Sequence, residues 1–252
     1  MKPGDFVWYE LCTSDLDAAS AFYSAVIGWT VQKSQLPGTD YRLAGVGDRH
    51  VAGLMTLPPG QRPQRPTWFG YIAVDDVDAK IAEVTAQGGG VHHPATDIPT
   101  VGRFAVVSDP QGAVFMLFKG AGTPAAPLQM MQSGSIGWHE LHTSDLDGGW
   151  RFYERMFGWT KAAVHDMGPI GAYQLFQASA LPVGGMFTDR ETPHPHWLYY
   201  FAVDDIDAAQ ERLKAGGGKL RSGPHQVPGG AWVVNAEDPQ GGTFALVGMR
   251  RG

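Results

Sequence analysis

The stretch FVWYELCT, Phe6 to Thr13, is rich in aromatic and branched side chains and predicts a strand. The period then changes. Ala19, Phe22, Tyr23 and Val26 recur at helical spacing, with Ser14 predicted as the cap, Asp17 in the first turn and Gly28 as the left-handed stop. Short strands follow at Trp29 to Lys33, Tyr41 to Val46 and His50 to Leu57, and a polar loop, PPGQRPQRP, leads to another strand near Thr67. A second helix is predicted from Val77 to Gln87, stopped by Gly88, Gly89 and Gly90, before two or three strands that end with AVFMLF after the turn DPQG.

The same alternation of periods then returns. WYELCTSDLDAASAFYSAVIGWT from Trp8 is answered by WHELHTSDLDGGWRFYERMFGWT from Trp138, YIAVDDVDA from Tyr71 by YFAVDDIDA from Tyr200, and SDPQG from Ser108 by EDPQG from Glu237. Ile136 to Thr143 predicts the second opening strand, followed by a helix carrying Phe152, Tyr153 and Met156 and stopped at Gly158. Each half reads as strand, helix and three strands, written twice, so that four units start near residues 6, 67, 136 and 196. GAGTPAAPLQMMQSGS, Gly120 to Ser135, carries no periodic signal and predicts a linker. The expected division is a domain at 1–120, a linker at 121–135 and a domain at 136–252.

Composition narrows the partners. A formal charge of -6 provides no broad basic surface for a nucleic acid backbone. The single cysteine, Cys12, excludes an intramolecular disulfide and suits a reducing compartment. No run approaches the roughly 18 apolar residues of a membrane span, and MKPGDFVWYE lacks the apolar core of a signal peptide. A cytoplasmic protein is expected, with secretion lacking a cleaved signal left open; no membrane partner and no particular oligomeric state are expected. GGG at Gly88–Gly90 and Gly216–Gly218 follows a helix instead of joining a strand to one, which argues against a dinucleotide fingerprint.

The ordered recurrence of TSDLDAASAFYSAVIGW, VDDVDA and DPQG across almost the whole chain resembles the vicinal oxygen chelate superfamily. That superfamily includes glyoxalase I, the bleomycin and fosfomycin resistance proteins and the extradiol dioxygenases, and the tandem glyoxalase-like proteins of actinobacteria are especially similar. The resemblance implies an α+β fold of tandem glyoxalase-like domains, each built from two βαβββ units forming a curved, incomplete barrel around a pocket. In the metal-dependent members it places four ligands per domain. The corresponding positions here are Trp8, Met55, Phe69 and Met116 in the first half and Trp138, Phe187, Leu198 and Ala245 in the second. Such a wall supplies none of the oxygen, nitrogen or thiolate donors that a divalent ion takes.

Those substitutions lead to the expectation of a tandem glyoxalase-like protein that holds a small aromatic or apolar organic ligand by stacking and burial, with no cofactor. Space-filling residues in pockets no longer used are the plainer reading. Strand alternation puts Glu10 on the face of Trp8, and Glu140 on the face of Trp138 and His142. Glu10, Glu140 and His142 are therefore the candidates for a general base or a polar ligand contact, the alternative being acids hydrogen-bonded within the fold. A displaced metal site of Glu140, His142, His194 and His196, serving a lyase or dioxygenase, is one competing expectation, and a structural or interaction role with vestigial pockets is another. Catalysis itself stays open.

Overall fold

The computed structural model describes residues 2–35, 40–56, 65–122, 129–178, 180–192 and 194–251. The first βαβββ module comprises β1 (Phe6–Thr13), α1 (Leu16–Ile27), β2 (Thr30–Lys33), β3 (Tyr41–Val46) and β4 (Arg49–Thr56). The second comprises β5 (Thr67–Ala73), α2 (Val77–Ala86), β6 (Gly90–Ile98), β7 (Gly102–Ser108) and β8 (Val114–Gly120). The third comprises β9 (Ile136–Thr143), α3 (Leu146–Phe157), β10 (Thr160–Asp166), β11 (Ala172–Gln177) and β12 (Pro182–Thr188). The fourth comprises β13 (His196–Val203), α4 (Ile206–Ala215), β14 (Lys219–Gln226), β15 (Trp232–Glu237) and β16 (Thr243–Gly248).

The expected α+β fold of paired βαβββ modules is borne out. The strands form two open eight-stranded sheets, ordered β2-β3-β4-β1-β5-β8-β7-β6 and β10-β11-β12-β9-β13-β16-β15-β14, consistent with tandem incomplete barrels. Most of the polar loop, at 58–64, and the middle of the expected linker, at 123–128, lie outside the described residues.

Local chemistry explains the helix ends. The cap of α1 is Asp15, not Ser14: the Asp15 carboxylate accepts from the Ala18 backbone N–H at 3.0 Å, and Asp145 plays the same part for α3 toward Asp147 at 3.1 Å. A carboxylate accepts this bond as well as a hydroxyl does and adds a charge that favours the helix N-terminus. Gly28 takes the left-handed conformation at φ 89°, as the sequence pattern requires.

Packing groups the modules into two compact units. One contains Met1–Val7, Phe69–Ala125 and His139–Trp197; the other contains Trp8–Trp68, Ala126–Trp138 and Leu198–Gly252. Each unit therefore joins one module from each half of the chain, and the repeated sequence words are what fasten it. In the second unit Trp68 Nε1 donates to the Tyr23 hydroxyl at 2.8 Å, which donates to Asp238 Oδ2 at 2.9 Å. In the first unit Trp197 Nε1 reaches Tyr153 at 3.0 Å, and Tyr153 reaches Asp109 Oδ2 at 3.1 Å. Burial lifts the carboxyls of both aspartates above their ordinary range, and backbone donors of the DPQG turns offset part of that cost. FY and DPQG thus recur because a helix tyrosine of one module needs a turn aspartate of another.

Candidate functional site

In the third module β9 pairs in parallel with β12, setting Glu140 opposite Gly185 and His142 opposite Phe187. A side chain at Gly185 would collide with the Tyr173 ring, so the glycine lets that ring lie flat across β12. The Tyr173 hydroxyl then donates to Glu140 Oε2 at 2.7 Å. His142 bridges two carboxylates: Nε2 lies 2.9 Å from Glu140 Oε1 and Nδ1 lies 2.8 Å from Asp189 Oδ2. Burial alone would depress the His142 pKa, but the hydrogen bonds to Glu140 and Asp189 outweigh it and leave the imidazole with a raised pKa.

Asp189 is itself held. The backbone N–H groups of Glu191 and Thr192 donate to its Oδ1 at 2.9 and 3.2 Å, and the Thr192 hydroxyl donates to Oδ2. Despite its desolvation, these donors and His142 keep the Asp189 carboxyl well below the usual carboxylate range. His196 stacks on His142 with ring centroids 4.4 Å apart, and burial first, then the charge of His142, lower its pKa to about 4. Phe187 meets His142 edge-on at 4.7 Å and stacks with Tyr173 at 5.9 Å. The result is a carboxylate, imidazole and carboxylate row bordered by aromatic rings.

The first module contains a reduced version. Glu10 lies opposite Gly53 in the β1–β4 pair, and again a side chain at the glycine would strike the tyrosine, here Tyr41. Tyr41 donates to Glu10 Oε2 at 3.1 Å and accepts from Trp8 Nε1 at 3.0 Å. Burial, with the nearby Glu10 carboxylate, raises the Tyr41 pKa, so the phenol keeps its proton as donor. Cys12 occupies the place of His142, and its buried thiol is likewise pushed up, which makes it a poor nucleophile.

Glu140, His142 and His196 are therefore brought together, but His194 is not: it is exposed, and its carbonyl oxygen accepts from His196 Nδ1 at 3.1 Å. Both nitrogens of His142 are engaged by carboxylates, and among the described residues no group of three or more His, Cys, Asp or Glu is arranged to hold a metal ion. The positions where the resemblance places ligands do not fit one either. Leu198 and Ala245 belong to an apolar cluster against which Trp138 packs, Phe69 and Met116 are buried, and Trp8, Met55 and Phe187 are half-buried. Tyr41, Tyr173 and Asp189 escape the sequence reading because the partners of each glutamate and of His142 are fixed by strand pairing. The matching tyrosines and the glycines Gly53 and Gly185 in the two copies were the available signal.

Comparison with known proteins agrees with this architecture. Residues 5–117 and 135–246 match the model of the Glyoxalase/Bleomycin resistance protein/Dioxygenase superfamily. The chain is 35% identical over 247 residues to the putative glyoxylase CFP32 of Mycobacterium tuberculosis, covering 95% of this chain and 93% of that protein. It is 31% identical to the anthracycline biosynthesis protein DnrV of Streptomyces peucetius, covering 99% and 95%. Among solved structures, the Mn(II)-bound glyoxalase of Novosphingobium aromaticivorans superposes with a TM-score of 0.65 at 19% identity, covering 99% of this chain and 83% of that one, which shows a shared fold. On the family match and the two relatives, the chain belongs to the Glyoxalase/Bleomycin resistance protein/Dioxygenase superfamily.

Proposed function

We propose that the protein binds a small aromatic organic ligand, with Glu140 as the polar anchor and the rings of Tyr173 and Phe187 as the stacking surface, without a divalent metal at the family's usual positions. The observation that supports this most is the hydrogen-bonding of Glu140. Tyr173 and His142 each engage one of its carboxylate oxygens, which fixes the direction of the remaining lone pairs and suits an oriented acceptor. DnrV is a protein of anthracycline biosynthesis, and a polycyclic aromatic is the ligand class that follows for this chain.

Titration of the purified protein with an anthracycline, followed by fluorescence quenching, tests the reading. Glu140→Gln removes a charged hydrogen-bond acceptor, which costs about 1.5–3 kcal/mol, or roughly a tenfold to hundredfold loss of affinity, with the far-ultraviolet spectrum preserved. Glu10→Gln tests the first copy in the same way. Unchanged affinity in Glu140→Gln would leave Glu140 as a structural acid.

A further inference from the structure

The outer face of α3 walls a groove of about 570 Å³ whose floor is formed by Phe152 and Pro110. Arg151 and Arg155 stand along it one helical turn apart, both exposed. The groove is braced at both ends. At one, the Gln111 carboxamide accepts from the Ser144 and Asp145 backbone N–H groups at 3.0 Å each and donates to the Asp145 carbonyl at 2.8 Å, which fixes the DPQG turn to the start of α3. At the other, Lys80 Nζ donates to the Met156 carbonyl at 3.0 Å and Gln87 Nε2 to Met156 Sδ at 2.9 Å, which ties α2 to the end of α3. All of these residues belong to one compact unit.

The repeat shows what is particular to this groove. TSDLDAASAFYSA set against TSDLDGGWRFYER aligns Ala21, Ser24 and Ala25 of α1 with Arg151, Glu154 and Arg155 of α3, and the VDDVDA and VDDIDA words align Gly216 with Gln87. In the other unit Phe22 packs directly over Gly216 and Gly218, where a side chain would come within 3.0 and 2.9 Å of its ring. A glutamine in place of that glycine holds α2 off α3 and keeps the cleft between them open. The cleft carries charge where its counterpart carries methyl and hydroxyl groups. Arg42, Arg103, Arg212, Arg221 and Arg250 each pair with a carboxylate, whereas no described residue forms an ion pair or hydrogen bond with the guanidinium of Arg151 or Arg155. Two carboxylates share the rim: Glu154 is unpaired among the described residues, and Asp145 caps α3, so that the helix dipole offsets its charge. Two free guanidiniums against one free carboxylate leave an excess of positive charge, and a guanidinium fork fits the oxygens of a carboxylate or a phosphate. A groove of this volume accommodates a small organic molecule, not only a bare ion.

We propose that the groove binds a small organic anion, a carboxylate or a phosphate monoester, with Arg151 and Arg155 taking its charged end and Pro110 and Phe152 underlying its body. The inference does not depend on Glu140, which lies on β9 and does not line this groove.

Benzoate, phenyl phosphate and the neutral benzyl alcohol are suitable probes, titrated at constant ionic strength into full-length isotope-labelled protein and followed by nuclear magnetic resonance. At least one of the two anions is expected to shift the Nε–H signals of Arg151 and Arg155 saturably and to bind about tenfold more tightly than benzyl alcohol, and the tighter of the two identifies the charged group. Inorganic phosphate is expected to bind more weakly than phenyl phosphate because it leaves the floor uncovered. Arg151→Gln and Arg155→Gln are each expected to weaken the anion about tenfold and to leave benzyl alcohol and the melting temperature unchanged, since both side chains are exposed. Glu154→Gln removes a like charge and is expected to tighten anion binding. Absence of a saturable shift at these two arginines would overturn the site, as would equal binding of benzyl alcohol or an affinity that survives both arginine substitutions. Inorganic phosphate binding as tightly as phenyl phosphate would overturn the organic ligand, and weaker binding in Glu154→Gln would overturn the anion in favour of a zwitterion. None of these results bears on the Glu140→Gln titration, so the two readings fail separately.

Discussion

His139 offers a prediction whose size follows from its surroundings. Its ring is buried, stacks on Phe6 with centroids 4.1 Å apart, and donates from Nδ1 to the Val183 carbonyl at 2.7 Å. Burial lowers its pKa from 6.5 to about 4, so the folded protein holds it neutral while the unfolded chain takes up a proton. The associated stability is fully present above pH 6.5 and is lost as the pH falls toward 4. At about 1.4 kcal/mol for each pH unit of that depression, the loss is about 3 kcal/mol. Asp109 and Asp238, with raised carboxyl pKa values, act in the opposite sense, so a comparison with His139→Phe isolates the histidine. The variant keeps a ring against Phe6 but leaves the Val183 carbonyl without its donor, costing about 1–3 kcal/mol at every pH. Urea unfolding of both proteins between pH 7.5 and 4, followed by tryptophan fluorescence, should show the wild type losing about 3 kcal/mol more than the variant across that range. Parallel pH profiles, or a His139 resonance titrating near 6.5, would refute the reasoning.

Other substitutions test the remaining structural links. Tyr153→Phe deprives the buried Asp109 carboxylate of its side-chain donor and should lower stability by about 1–3 kcal/mol in chemical denaturation, with Tyr23→Phe doing the same at Asp238. Gly185→Ala drives a methyl into the Tyr173 ring, and a loss of about 1–3 kcal/mol with displacement of the tyrosine hydroxyl from Glu140 should be visible by calorimetry and crystallography. His142 titrates above its ordinary value because of Glu140 and Asp189. Its stabilising contribution is therefore complete below pH 6.5 and disappears as the pH rises through the folded pKa; in His142→Cys, which copies the first module, melting profiles should lack that alkaline decline.

Much of the fold was legible because strands and helices announce themselves by period. The bounds of β1 and β9, the modular order and the stop at Gly28 follow from side-chain spacing and from glycine's tolerance of positive φ. The cap was misplaced by one residue because Ser14 and Asp15 are both good caps, and the choice depends on which oxygen faces the Ala18 N–H. Glu10, Glu140 and His142 were singled out as candidates by alternation along a single strand. Asp189 was not, since its contact with His142 spans 47 residues and depends on where the chain turns after β12. The grouping of modules from different halves into each compact unit was equally hidden, although the tyrosines and aspartates that fasten the units were already visible as repeated words.

The apolar replacements at the family's ligand positions leave no donor set for a divalent metal there. Elemental analysis of protein purified without chelator, followed by calorimetric titration with manganese, nickel, zinc and ferrous iron, tests this directly. Trace, substoichiometric metal and no saturable binding are the predicted result; one ion retained per repeat at micromolar affinity would contradict it.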